Sequence, residues 1–96
     1  MEITFLEVAQ VELDAAIVYY NSESPGLGDE FLMEVLKVID RIKQFPHAWQ
    51  SFSKDTRRCL TKRFPYGVIY QILDKEIQVV AIAHLHRKLD YWQDRI

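Results

Sequence analysis

The sequence predicts an α+β fold: an N-terminal strand, a two-helix hairpin, then a three-stranded antiparallel sheet with the helices packed on one face. Three observations predict it. Polar and apolar residues alternate from Glu2 to Leu6, the period of a half-buried strand. Two stretches with helical periodicity follow, separated by Ser24-Pro25-Gly26-Leu27-Gly28. From Arg57 to His84 the chain reads as short strand-like runs broken at Phe64-Pro65-Tyr66-Gly67 and Asp74-Lys75-Glu76.

In the first strand Ile3 and Phe5 share a face. From Ala9 to Asn21, Leu13, Ala16, Ile17 and Tyr20 recur at helical spacing, with Glu12 and Asp14 off that stripe. Proline and glycine in the next turn preset and permit a tight reversal. The second helix runs to about Phe45 on a stripe of Phe31, Val35, Val38 and Ile42, widened by Leu32 and Ile39. Asp29 and Glu30 in its first turn and Arg41 and Lys43 in its last suit the helix dipole, and Pro46 ends it.

A connector carrying His47, Trp49, Phe52 and Lys54 leads to the second strand. Its aromatics either cap the edge of the core or stand on the rim of a binding surface. Arg57 to Phe64 alternates, with Arg58, Leu60, Lys62 and Phe64 on one face and Arg57, Cys59, Thr61 and Arg63 on the other. Tyr66 to Leu73 is almost wholly apolar, as a central strand should be, and Ile77 to His84 completes a hairpin with it. Arg87 to Ile96 is polar with Leu89, Tyr91 and Trp92 interspersed, a short helix or an extended tail. Helices on one face leave part of the other open to solvent or a partner, and function is expected there.

The 96 residues fit one domain spanning 1–96. With one cysteine, Cys59, there is no internal disulfide, and no Cys/His spacing resembles a zinc site, so neither a metal nor another cofactor is expected. No stretch approaches the ~18 apolar residues of a membrane span, and no basic region precedes an apolar run at the N-terminus. A cytoplasmic protein without a membrane partner is expected. The net charge of −2 hides a division. Met1 to Ser53 carries three basic against nine acidic residues, giving −6, whereas Lys54 to Ile96 carries nine against five, giving +4. An anionic partner should meet the second half.

That half holds the candidate site residues Arg57, Arg58, Arg63, His84, Arg87 and Tyr91. Metal-free RNA cleavage needs a base, an acid and cations for the phosphate, and imidazole, phenol and guanidinium are suitable groups. The same residues also suit a solvated strand face, a histidine bonded locally at a strand end and a tail packed on the sheet. No Gly-rich phosphate loop, Ser/His/Asp arrangement or metal-ligand spacing is present, so a small-molecule substrate is not expected. Cys59 reads as a core residue.

Several segments, taken in order, resemble the RelE/ParE superfamily of toxins from bacterial type II toxin–antitoxin modules, also described as plasmid-stabilisation proteins. They are Asp14-Ala15-Ala16-Ile17-Val18-Tyr19-Tyr20, Ser24-Pro25-Gly26-Leu27-Gly28, Glu30-Phe31-Leu32 and Phe45-Pro46. Further on come Arg57-Arg58-Cys59-Leu60, Arg63 to Tyr70, and Val80-Ala81-Ile82-Ala83-His84 followed by Arg87 and Tyr91-Trp92. The resemblance covers nearly the whole chain. It implies a helical hairpin on a sheet and a cognate antitoxin whose folding segment wraps the toxin. It also implies that Arg57 or Arg58 and Arg63 match basic strand positions, Arg87 the arginine after the last strand, and His84 or Tyr91 the late acid–base position. RelE-like members cut mRNA in the ribosome, as metal-independent endoribonucleases, whereas ParE-like members poison DNA gyrase without a nuclease site. RelE-like nucleases are generally strongly basic, as ribosome binding demands, and this chain is net acidic. The His84-x-x-Arg87 ending is also closer to ParE-like members. The resemblance therefore leans toward a gyrase inhibitor, the alternatives being an mRNA endonuclease or a non-toxic binding module.

Overall fold

The computed structural model describes residues 1–53, 55–88 and 90–96, with Ser53 described by its backbone alone. Lys54 of the connector and Leu89 of the tail lie outside the described residues. The elements run β1 (Glu2–Phe5), α1 (Glu7–Glu23), α2 (Leu27–Gln44), β2 (Ser51–Ser53), β3 (Thr56–Leu60), β4 (Tyr66–Leu73), β5 (Glu76–His84) and a closing 3-10 turn, Gln93–Arg95. The described strands form a five-stranded sheet in the order β1-β5-β4-β3-β2. β1 joins β5 in parallel and the other pairs are antiparallel. The α+β class is as expected, but the sheet gains a strand from the connector and carries β1 on its β5 edge.

The helices form where apolar spacing demands them. α1 buries Ala9, Leu13 and Ala16, small residues at two of three positions, and packs on β5. α2 buries Phe31, Val35, Val38, Ile39 and Ile42. Between them Gly26 takes φ +88°, a left-handed conformation that favours glycine. Gly28 closes the hairpin: its N–H donates to Asn21 Oδ1 at 2.7 Å, and a Cβ there would lie only 2.7 Å from Asn21 Cγ.

The expected strand from Arg57 to Phe64 is cut short at Leu60. Two contacts end it. Glu34 Oε1 on α2 accepts the backbone N–H groups of both Lys62 and Arg63 at 2.7 Å. Thr61 donates its hydroxyl to the Phe64 carbonyl at 2.6 Å, and its N–H to the Tyr66 carbonyl at 3.0 Å. The corner so formed turns Phe64 into the core, although strand alternation would set it on the face opposite Cys59. Its ring meets Tyr20 and Phe31 at 4.9 and 5.1 Å, and Tyr66 meets Phe31 at 4.9 Å. This aromatic cluster fixes the end of the sheet against the helical hairpin.

A bulge in β5 redirects its side chains. Ile69 pairs with Ala81 and Tyr70 with Val79, leaving Val80 as an extra residue. Val79 and Ile82 therefore join the core beneath the helices, while Val80, Ala81 and Ala83 join Ile69 on the second face. That face is not left open as expected over this region. Trp92 covers it, 1 % exposed, with Phe52, Tyr91 and Leu6 packed alongside. The C-terminal segment thus forms a second, smaller apolar cluster.

Two substitutions test these packing arguments. Trp92→Ala should cost about 3–5 kcal/mol by emptying the second cluster. Gly28→Ala should cost about 2–3 kcal/mol by forcing the helices apart. Urea unfolding followed by far-UV circular dichroism measures both.

Candidate functional site

β1 accompanies β5 only as far as Phe5 opposite Val79, after which the outer edge of β5 has no strand beside it among the described residues. Side chains close that edge instead. Glu12 of α1 accepts the N–H of Ile82 on Oε1 at 3.1 Å. Arg95 grips both oxygens of Glu12 at 2.9 Å and also donates to the Val80 carbonyl at 3.0 Å. The Tyr91 hydroxyl donates to Glu12 Oε2 at 2.7 Å. The carboxylate is only 14 % exposed and its Arg95 partner 17 %, so this bidentate pair is shielded from water.

Around this knot the candidate residues divide. Arg58, His84, Arg87 and Tyr91 line one shallow cleft at the end of β5. Arg58 places its guanidinium 4.4 Å over the Phe52 ring, and Arg87 lies 3.7 Å over the Tyr91 ring and 3.6 Å from Glu12 Oε2. Arg57 does not join them, because its Nη1 donates to the carbonyls of His47 and Trp49 at 3.2 and 2.6 Å and ties down the connector. Arg63 pairs with Glu30 at 2.9 Å, with both side chains more than half exposed, on the side of α2. Such an exposed pair contributes little to stability.

A second groove, about 230 Å³, runs beside the first between α1 and the ends of β4 and β5. Tyr19, Ala15, Tyr66, His84, Arg87 and Glu12 line it. His84 stacks edge-on against Tyr66 at 5.1 Å. His84 and Arg87 border both grooves, so they form the ridge of a continuous surface.

Chemically, the two acid–base candidates differ: Tyr91 is engaged through its only polar side-chain atom, His84 through one ring nitrogen. His84 Nδ1 accepts the His86 backbone N–H at 3.1 Å, which assigns the neutral imidazole proton to Nε2. The Tyr91 phenol is pushed up by burial, then by its bond to Glu12 and the charge of that carboxylate. Tyr91 therefore keeps its proton and serves as a donor within the fold. The Cys59 thiol is also pushed up by burial, which the neighbouring Arg41 offsets in part, so it is no activated nucleophile. Among the described residues no group of three or more His, Cys, Asp or Glu could hold a metal ion. The arrangement suits recognition, with exposed Arg87 and two tyrosines flanking a histidine.

Glu12, Arg95 and Tyr66 escape a reading of the sequence. Glu12 falls off the apolar stripe of its helix, and its partner Arg95 lies 83 positions away in a segment without periodicity. Tyr66 reads only as the start of a buried strand. No spacing signal could have joined them.

Glu12→Gln keeps the shape but offers one acceptor oxygen where a carboxylate with two serves three donor groups. It should cost about 2–3 kcal/mol, a fall in Tm of about 10–20 °C. Thermal unfolding measures it. Burial is the first cause of raised phenols at Tyr20, Tyr66, Tyr70 and Tyr91, with Tyr70 pushed up to about 12 while it donates to the Pro46 carbonyl at 2.7 Å. The native state then holds these protons more tightly than the unfolded chain. Their contribution to stability is full below the ordinary tyrosine value of ~10 and is lost as pH rises through the shifted values. At about pH 11 the folded protein should show tyrosinate absorbance well short of the five tyrosines present, with the remainder appearing on unfolding in denaturant.

A family model described as the ParE toxin of the type II toxin–antitoxin system, parDE, matches residues 3–89. Among solved structures, a chain of the chromosomal ParDE TA system from P. aeruginosa superposes with a TM-score of 0.79 at 19% sequence identity, covering 90% of this chain and 97% of that one. At that identity the likeness is one of fold. A search of curated protein sequences found no match. With the family model spanning all but the ends of the sequence, the chain belongs to the ParE toxin family of type II toxin–antitoxin systems.

Proposed function

We propose that this protein arrests bacterial growth by binding DNA gyrase through the surface around His84 and Arg87, and that a cognate antitoxin neutralises it by covering that surface. The observation that carries the reading is the commitment of the Tyr91 hydroxyl to Glu12 within the fold. A nuclease that used Tyr91 would need that hydroxyl free to move a proton, whereas a binding surface needs the ring held still. Family membership supports the toxin role, and the acidic balance of the chain fits a protein target better than a phosphate-rich ribosome.

Purified protein added to gyrase and relaxed plasmid should block supercoiling or trap cleaved DNA, and mRNA in a translating extract should stay intact. Arg87→Ala should raise the concentration needed by about tenfold, since an exposed arginine beside aromatic rings is a common binding anchor. Unaffected gyrase together with cut transcripts would replace this reading with ribosome-dependent mRNA cleavage. Induction should stop growth, and co-expression of the neighbouring antitoxin frame should restore it.

A further inference from the structure

At the sheet edge opposite β1, a groove of about 450 Å³ opens between the last turns of α2 and the β2–β3 ribbon. Arg41, Arg58 and Lys62 bring three cationic side chains to it, Trp49, Phe52 and Leu60 give it apolar walls, and no Asp or Glu lines it among the described residues. Leu60 remains 46% exposed, so that wall is open to a ligand. Two of the lining residues are also out of balance. Arg41 Nε and Trp49 Nε1 are shielded from solvent, yet neither has a hydrogen-bond partner among the described residues. Buried donors are nearly always paired, so two orphans lining a single cationic groove point to an acceptor supplied from outside.

We propose that this groove binds a small aromatic oxyanion, a planar ring carrying a carboxylate or a phosphate. The anion sits with Arg41 and Lys62 and accepts hydrogen bonds from Arg41 Nε–H and Trp49 Nε1–H after a small adjustment of those side chains. The ring packs on Leu60 and on the Arg58 guanidinium, whose other face is already against Phe52. Size favours a whole small molecule over one acidic side chain, since the groove falls in the range of about 300–1,000 Å³ usual for such ligands. The sequence offers no reason to expect a small-molecule ligand. The groove shares Arg58 and Phe52 with the cleft proposed to meet gyrase, but neither His84 nor Arg87 lines it, so ligand binding at Arg41 and Lys62 is tested independently of that reading.

Titration of ¹⁵N-labelled full-length protein with indole-3-acetate, adenosine 5′-monophosphate and uncharged adenosine tests it. At least one of the two anions should saturate and move the Trp49 indole N–H resonance, assigned by its loss in Trp49→Phe, while the buried Trp92 resonance stays in place. Indole-3-acetate and the nucleotide separate carboxylate from phosphate as the preferred anion, and adenosine should not bind. Arg41→Gln and Lys62→Gln should each weaken binding about tenfold or more. Lys62 is exposed, so Lys62→Gln keeps the test valid should Arg41→Gln fail to fold. Absence of saturation by either anion, equal binding of adenosine, or wild-type affinity in the folded variants overturns the proposal.

Discussion

A single carboxylate, that of Glu12, joins α1, the outer edge of β5 and the C-terminal segment. Because β1 stops opposite Val79, the remainder of β5 would otherwise present bare backbone to solvent, a template for unwanted pairing. Glu12 takes the Ile82 N–H, and Arg95 takes the Val80 carbonyl while holding Glu12 itself. The same contacts hold Tyr91 in place, and Arg87 lies on its ring. Stability at the sheet edge and the geometry of the proposed recognition surface thus depend on the same few bonds. A charge so enclosed is costly unless every partner is present, so the group acts as a unit.

The parts legible in the sequence are those governed by local pattern. Apolar spacing located both helices, Pro46 stopped the second, and Pro65 marked the corner before β4. What escaped reading depends on partners distant along the chain. Glu34 takes two N–H groups from residues 62 and 63, which ends β3 where alternation would carry it on. The Val80 bulge switches the facing of β5 within an unbroken apolar run, where periodicity has nothing to register. Among the candidate cations, type and position in sequence said nothing of role. Arg57 and Arg58 are neighbours, yet one ties connector carbonyls and the other lies over Phe52 on the opposite face.

The separation of charge along the chain acquires a structural meaning. Acidic residues of the helices meet the basic half at three places: Glu12 pairs with Arg95 inside the fold, Glu34 accepts backbone N–H groups of the corner, and Glu30 pairs with Arg63 at the surface. Lys62, Arg58 and Arg87 keep exposure along the grooves described above. Two of these contacts are ion pairs, and the cations left along the grooves form a local positive surface that the net charge of −2 conceals.

The tail over the second sheet face also bears on how the chain comes into being. Glu2 pairs with Glu76, and the Trp92 that completes the smaller cluster follows β5. During translation the helical hairpin emerges early, but its sheet cannot close until β5 leaves the exit tunnel, and the Glu12 knot must wait for Arg95. A nascent chain therefore carries the proposed recognition surface unfinished until Arg95 has emerged. The surface around His84 and Arg87 takes its final form only once Tyr91 and Arg95 reach Glu12.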